Sequence, residues 1–462
     1  MKFKYNIVIV ISCLVLGFTS CSIDEIKPIN QLVEETVITN KKSARNFLNG
    51  IYNKHRGSMP KIATVTDAAG VEQVMSRQIW GATGFDVNAP LNDGRALTDI
   101  YSQYYVIINA TNFFIELIEA SNAGDLTPQV KKEMISEAKF FRAQAHFNLL
   151  RMFGQFYDKT SALGIVTSIT PYRGKIEKAR SSVQETYDII LADLQYAADN
   201  GPSGVNHYLV SATTAKALLA KVQLYAGDYT NAAINALAAI NNTDGYALAT
   251  SYGAVFADRW GTETLFAPFI NGGTESSFYD MANYIRNSAP SAIFKNIADA
   301  STGAVDGTRD ARYVFAYDTA PGVNGNGKYQ YGSYSPTDNG GNTFFFLRLS
   351  EVYLIYAEAE ARRPGGVLAD ALAKVNKIRN RADAGLPAKV LSDKATLLAD
   401  IRNEKMLELF RETGESYYDL VRYDRLGDVS ASAIKATMTA DKLIFPIPLA
   451  ALAGNSLLVP NP

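Results

Sequence analysis

The chain has 462 residues, 47% of them apolar, with 45 Lys+Arg against 46 Asp+Glu. That is enough apolar surface for a large core, and it excludes both a disordered chain and one drawn by overall charge to a polyanion such as a nucleic acid. The two cysteines, Cys13 and Cys21, lie in the first 21 residues, so the body has no disulfide framework, cysteine zinc site or cysteine nucleophile.

Residues 1–20 read as a secretory signal: Lys2 and Lys4 precede an apolar run from Ile7 to Leu16. Ten residues of helix cover about 15 Å, half of a hydrocarbon core, so the run is too short for a stable span. Phe18-Thr19-Ser20-Cys21 has the form of a bacterial lipobox, with Cys21 as the lipidated first residue of the mature chain. Residues 21–40, polar and containing Pro28, then read as a flexible tether.

The body reads as mainly α. Residues 41–242 form a helical region that opens with Ala44, Phe47, Leu48, Ile51 and Tyr52 on one helical face. A second helix is expected over 95–120. A third starts at Pro128 behind Thr127 as N-cap, repeats apolar residues from Val130 to Met152, and stops at Gly154. A fourth covers 182–198. Over 213–240 the residues Ala220, Gly227-Asp228-Tyr229, Ala232 and Ala239 fall at the spacing of a tetratricopeptide-like helix pair. Residues 243–342 differ in texture, being rich in Gly, Asn, Ser, Tyr and Phe, and read as an irregular, loop-rich subdomain. It holds one short helix near 291–300, an edge strand over 264–270 that Pro268 limits, and the turn Asn324-Gly-Asn-Gly327. Residues 343–462 close the chain with a second helix pair, 349–361 and 367–382, joined through Pro364-Gly-Gly366.

Signatures of catalysis are weak throughout, and no catalytic or metal-ligating set is expected. The three histidines, His55, His146 and His207, show no metal-ligand spacing, and His146 reads as a helix-packing residue. Gly322-Val-Asn-Gly-Asn-Gly-Lys328 has phosphate-loop spacing, but Tyr329 stands where Ser or Thr would ligate magnesium. Glu404 and Glu408 are one helical turn apart and point the same way, whereas a glycosidase needs its two carboxyls across a cleft. With Arg402, Lys405, Arg411 and Arg422 nearby they read as an ion-pair network.

The aromatics are the better lead, because a sugar presents a C–H face to a ring and hydroxyls to amides, carboxylates and guanidinium groups. Trp80 sits in a glycine-flanked loop ahead of the 95–120 helix, and the irregular segment contributes Phe278, Tyr279, Tyr284, Tyr313, Tyr317, Tyr329, Tyr331 and Tyr334. Polar partners close in sequence are Asp67, Arg77, Asn92, Asp93, Arg286 and Asn287. Trp260, leading into the edge strand, reads as a packing residue.

Several stretches together resemble the SusD/RagB family of nutrient-binding outer-membrane lipoproteins. They are Glu137-Ala-Lys-Phe-Phe-Arg-Ala-Gln-Ala-His-Phe-Asn-Leu-Leu-Arg-Met-Phe-Gly154, Arg348-Leu-Ser-Glu-Val-Tyr-Leu-Ile-Tyr-Ala-Glu-Ala359, Ile401-Arg-Asn-Glu-Lys-Met-Leu-Glu-Leu409, Tyr418-Asp-Leu-Val-Arg-Tyr423 and Phe445-Pro-Ile-Pro448. Ser416 stands where the family commonly has arginine, in a turn one residue longer than usual. The resemblance implies a tetratricopeptide-like scaffold with its ligand site on the loop-rich face, where Trp80, Asp67, Arg77, Asn92, Tyr279, Tyr284, Arg286 and Tyr331 are the matching positions. It also implies a non-catalytic, lipid-anchored protein on the outer membrane, facing the exterior. Such a protein needs no cofactor and binds an oligosaccharide as the lid of a SusC-like TonB-dependent transporter. Some relatives serve peptide import instead.

Overall fold

A computed structural model describes residues 37–75, 83–258, 260–269, 288–303, 309–318, 328 and 343–462. The elements in chain order are α1 (Lys41–Ala69), β1 (Gln73–Met75), α2 (Arg95–Ala120), α3 (Pro128–Phe153), α4 (Val183–Asn200), α5 (Ala212–Tyr225), α6 (Tyr229–Ile240), α7 (Tyr252–Ala257), β2 (Thr264–Phe266) and β3 (Ser288–Pro290). They continue with α8 (Ala292–Thr302), α9 (Ala311–Tyr313, running into a π turn to Asp318), β4 (Leu347–Arg348), α10 (Leu349–Arg362), α11 (Leu368–Ala382), α12 (Lys394–Leu409), α13 (Glu415–Arg425), α14 (Ala431–Ile434) and α15 (Leu449–Gly454).

Local signals set most helix ends. Asn40 and Ser43 close a capping box on α1, Ser182 and Glu185 another on α4, and Thr127 caps α3 with Pro128 in its first turn. Each such cap stabilises its helix by about 1 kcal/mol. Between α5 and α6, Gly227 takes φ +75° and the Asp228 side chain accepts the Asn231 N–H, which makes the expected tight hairpin turn. One expectation falls short: α1 runs for 29 residues, through Gly50, Gly57 and Pro60, well past the stretch its apolar spacing marks. Trp260 packs at the surface: it is partly exposed, and its ring stacks on Phe269.

Helices α1 to α6 pack in order, each against the next, and α6 then packs on α10, which in turn contacts α11 and α12. The stretch from α7 to β4 is thus inserted into an otherwise continuous array of helix pairs. Ala217, Ala220, Ala232, Ala236 and Ala239 are all fully buried, which lets α5, α6 and α10 approach closely. α3 is the central helix, buried on every side from Met134 to Phe153. Its charged residues survive there because each has a partner: Glu137 with Arg45, Arg142 with Asp193, and Arg151 with Glu415, at 2.7–2.9 Å.

Candidate functional site

Two small antiparallel sheets organise the irregular face. In the first, β1 pairs with β3 in the register Gln73↔Pro290, Val74↔Ala289, Met75↔Ser288. The segment 76–82 leaves from Met75, and the segment 270–287 returns at Ser288, so the roots of both are neighbours. In the second, β2 pairs with β4 through Thr264↔Arg348 and Phe266↔Leu347. Segment 270–287 starts just beyond β2 and segment 329–342 ends just before β4. Phe346 donates its N–H to the Phe266 carbonyl at 3.1 Å, and the Thr343 hydroxyl donates to the Pro268 carbonyl at 3.5 Å.

Trp80, Arg77, Tyr279, Tyr284, Arg286 and Tyr331 lie outside the described residues, as do Phe278, Asn287, Tyr329, Tyr334, the 324–327 turn and Cys21. What the described residues bring together is the roots of the three segments that contain the ring and guanidinium candidates. Asn92 is exposed, with its carbonyl accepting the Leu449 N–H of α15 at 2.9 Å. Asp67 differs from the exposed ligand contact expected of it: it is fully buried near the end of α1. Tyr313 and Tyr317 are likewise packing residues, set against Phe294 and Phe410.

A buried charge network ties the ends of β2 and β4 and Lys328 to α12 and the turn after it. Glu263, one residue before β2, and Arg348, the last residue of β4, pair at 2.6 Å. Arg348 also binds Glu408 at 2.9 Å and Glu412 at 2.8 Å. Lys328, just ahead of segment 329–342, donates to Glu412 at 2.8 Å and to the Phe410 carbonyl, with its ammonium 4.1 Å from the centre of the Phe410 ring. Arg381 joins Glu263 and Glu408, while Arg312 binds Asp310, Glu404 and Glu408, and Arg379 binds Glu404. All of these side chains are buried, and the surrounding arginines hold the Glu408 carboxyl well below the usual carboxylate range despite its desolvation.

The chemistry of this layer is structural. Glu404 and Glu408 do sit in an ion-pair network, but their partners are Arg312, Arg348, Arg379 and Arg381, while Lys405 and Arg422 serve Glu358 and Asp419 instead. Lys328, the lysine of the phosphate-loop spacing, has its ammonium committed to Glu412 and Phe410. The His146 Nε2 accepts the Ser168 N–H at 3.2 Å, the packing role expected of it. Among the described residues no group of three or more His, Cys, Asp or Glu side chains could hold a metal ion.

At the root of segment 76–82 the balance changes. Burial raises Asp67 well above the usual carboxylate range, with Glu72 adding to the effect, and burial pushes Glu72 up to about 7. Ser416, Lys328 and Arg411 favour the ionised form of Glu72 but do not offset its burial. Sequence reasoning missed Glu72, Glu263, Lys328 and Glu412 as anchors, because their partners are distant in the chain; Lys328 was quoted only for its phosphate-loop spacing, and Arg348 stood in a family stretch.

The fold and sequence have clear relatives. The SusD family model matches residues 293–462, and a second, described as starch-binding associating with outer membrane, matches residues 23–224. A SusD-like protein of Bacteroides ovatus is 24% identical over 379 residues, 71% of this chain and 66% of that protein. A SusD-like protein of Formosa agariphila is 28% identical over 250 residues, 52% of this chain and 46% of that one. The chain thus spans just under two thirds of the first relative's length and about half of the second's. A SusD superfamily protein from Bacteroides thetaiotaomicron shares the fold at TM-score 0.77 and 22% identity, over 92% of this chain and 100% of that one. A SusD-like carbohydrate binding protein from Bacteroides vulgatus does so at TM-score 0.71 and 19% identity, over 84% of each chain. Matched in both its N-terminal and C-terminal parts, and sharing the mainly helical fold along nearly its whole length, the chain belongs to the SusD/RagB family.

Proposed function

We propose that this chain is a non-catalytic glycan-binding lipoprotein of the outer-membrane exterior, anchored through Cys21, that holds an oligosaccharide for a SusC-like TonB-dependent transporter. The observation that supports this reading best is the strand pairing that roots segment 76–82 beside one end of segment 270–287, through β1 and β3, and segment 329–342 beside its other end, through β2 and β4. These segments contain Trp80, Arg77, Tyr279, Tyr284, Arg286 and Tyr331, a set with the ring, guanidinium and hydroxyl chemistry that a sugar requires. The carbohydrate-binding description of a structural relative and the starch-binding description of the N-terminal family model point the same way. Asp67 acts in this scheme as an anchor beneath the site, and Asn92 flanks it.

Calorimetry of the mature chain against a panel of plant, algal and microbial oligosaccharides tests the reading. A saturable heat with at least one glycan, lost on Trp80→Ala without a change in melting temperature, is the expected result, together with no release of reducing sugar. An empty glycan panel alongside co-purified peptides moves the assignment to peptide import. Co-purification of a large transporter with the tagged, membrane-anchored chain tests the partner.

A further inference from the structure

A second groove, beside the start of segment 270–287, has the chemistry of a sugar site on described residues. Its volume is about 460 Å³, and it lies between the first half of α1 and the loop that leads into α5. One wall is a single helical face, since Arg45, Asn49, Asn53 and Arg56 recur at steps of four, four and three. The facing wall is aromatic: Tyr208 is 37% exposed and Phe269 51% exposed. Trp260 backs them, stacked on Phe269 at 5.4 Å and 8° and edge-on to Tyr208 at 5.4 Å. Tyr52, Leu209 and Phe266 form the floor.

The groove is held in shape by hydrogen bonds. The Tyr52 hydroxyl donates to Glu137 at 2.5 Å and accepts the Val210 N–H at 2.9 Å, while Arg45 clamps Glu137 with two bonds of 2.8 Å. The Asn206 side chain accepts the N–H groups of Tyr208 and Leu209, and the His207 carbonyl accepts the Ala267 N–H at 2.8 Å. Arg56 donates to the Phe269 carbonyl at 3.1 Å, tying one wall to the other. By contrast, the exposed amides of Asn49 and Asn53 have no hydrogen-bond partner among the described residues.

We infer that this groove is a second saccharide site, taking a neutral or uronic-acid pyranose; the inference rests on the glycan-binding reading above. Three rings in mutual contact at the rim of a polar groove form a patch rather than scattered surface residues. Tyr208 and Phe269 offer faces for the apolar side of a sugar ring. Asn49 and Asn53, one helical turn apart, each supply an amide donor and acceptor for neighbouring hydroxyls. Among the described residues no carboxylate lines the groove and two arginines do, which selects against a cationic ligand such as a basic peptide.

The chain has two tryptophans, so Trp80→Phe leaves Trp260, beside this groove, as the sole tryptophan, read selectively by excitation at its red edge. The probes are maltohexaose, cellohexaose, xylohexaose, laminarihexaose and a galacturonic acid hexamer, added to the mature chain. The expected result is a saturable change in Trp260 emission with at least one probe in Trp80→Phe. In that background Asn49→Ala/Asn53→Ala weakens the response at least tenfold, as does Phe269→Ala, with melting temperatures unchanged for the exposed asparagine pair. If the wild-type chain binds a probe by calorimetry but Trp260 emission does not move, and the asparagine pair leaves affinity within twofold, the second site is overturned while glycan binding stands. If the wild-type chain binds none of these probes or a wider glycan array, the glycan reading falls and this site with it.

Discussion

Met75 and Ser288 are partners in the β1·β3 pair, so the last described residue before segment 76–82 faces the first one after segment 270–287. Two stretches separated by about two hundred positions in the chain are thereby rooted side by side. The pairing does not stand alone. Ser291, next after β3, donates its N–H to the Glu72 carbonyl at 2.9 Å and its hydroxyl to the Val71 carbonyl at 2.5 Å. The same hydroxyl accepts the Phe294 N–H at 3.0 Å as the N-cap of α8.

Ser291→Ala removes the cap and the side-chain cross-link together. A loss of about 1–2 kcal/mol is expected, the upper part of the range for capping residues. Because the lost bond lies at the root of two candidate binding segments, glycan affinity should fall several-fold as well. Chemical denaturation and calorimetry on one preparation check both effects; unchanged affinity with lowered stability would separate the root from the site.

Glu408 takes charge from Arg348, Arg381 and Arg312 with no exposure to water. Glu408→Gln keeps the shape but leaves buried guanidinium charge uncompensated, so a loss of about 3–5 kcal/mol is expected. Urea unfolding measures it. A near-neutral result would mean that water reaches the cluster and screens it.

The contrast between Glu408 and Asp67 shows what could be read from the chain. Glu404 and Glu408 sit four apart among basic residues, and that local spacing was enough to read an ion-pair network. The actual partners, Arg312, Arg348, Arg379 and Arg381, come from other elements, and no spacing relates them. Asp67 reads from the chain only as a polar partner close in sequence to Trp80; its burial is set where the end of α1 packs against α13, far along the chain. The α5–α6 hairpin was legible for the opposite reason, since Gly227, Asp228 and the alanine spacing are all local. Tyr313 and Tyr317 were indistinguishable from binding tyrosines by composition, and only their contacts with Phe294 and Phe410 place them in the core.

Gly414 offers a sharper backbone test. It takes φ +69°, and a Cβ built there would lie 1.8 Å from the Thr66 hydroxyl oxygen. Three residues earlier, Arg411 already adopts φ +59°, a conformation that costs a residue with a side chain roughly 1–2 kcal/mol. Gly414→Ala adds a second such cost plus a steric one, and a loss of about 3 kcal/mol or more is expected. Gly414→Ala combined with Thr66→Ala should recover part of it, measured as a double-mutant cycle.

The pH dependence follows from Glu72 and the two buried histidines, which act on opposite limbs. Burial lowers His55 and His146 to about 3, so their contribution is present above the ordinary histidine value of 6.5 and is lost as pH falls toward 3. Glu72 is raised from 4.5 to about 7, so its contribution is full below pH 4.5 and is lost as pH rises through 7. The groups that act on it are Asp67 and Glu412, which disfavour its charge, and Lys328, Arg411 and Ser416, which favour it. Burial is the largest of these effects, so the neutral acid is the form the fold prefers at the root of segment 76–82. Glu72→Gln keeps that neutral form at every pH. It should melt with the wild type at pH 5 and about 2 °C or more above it at pH 8, leaving the acid limb unchanged. A variant that melts below the wild type at pH 8 would mean that ionised Glu72 gains more from Arg411 and Lys328 than it loses by burial.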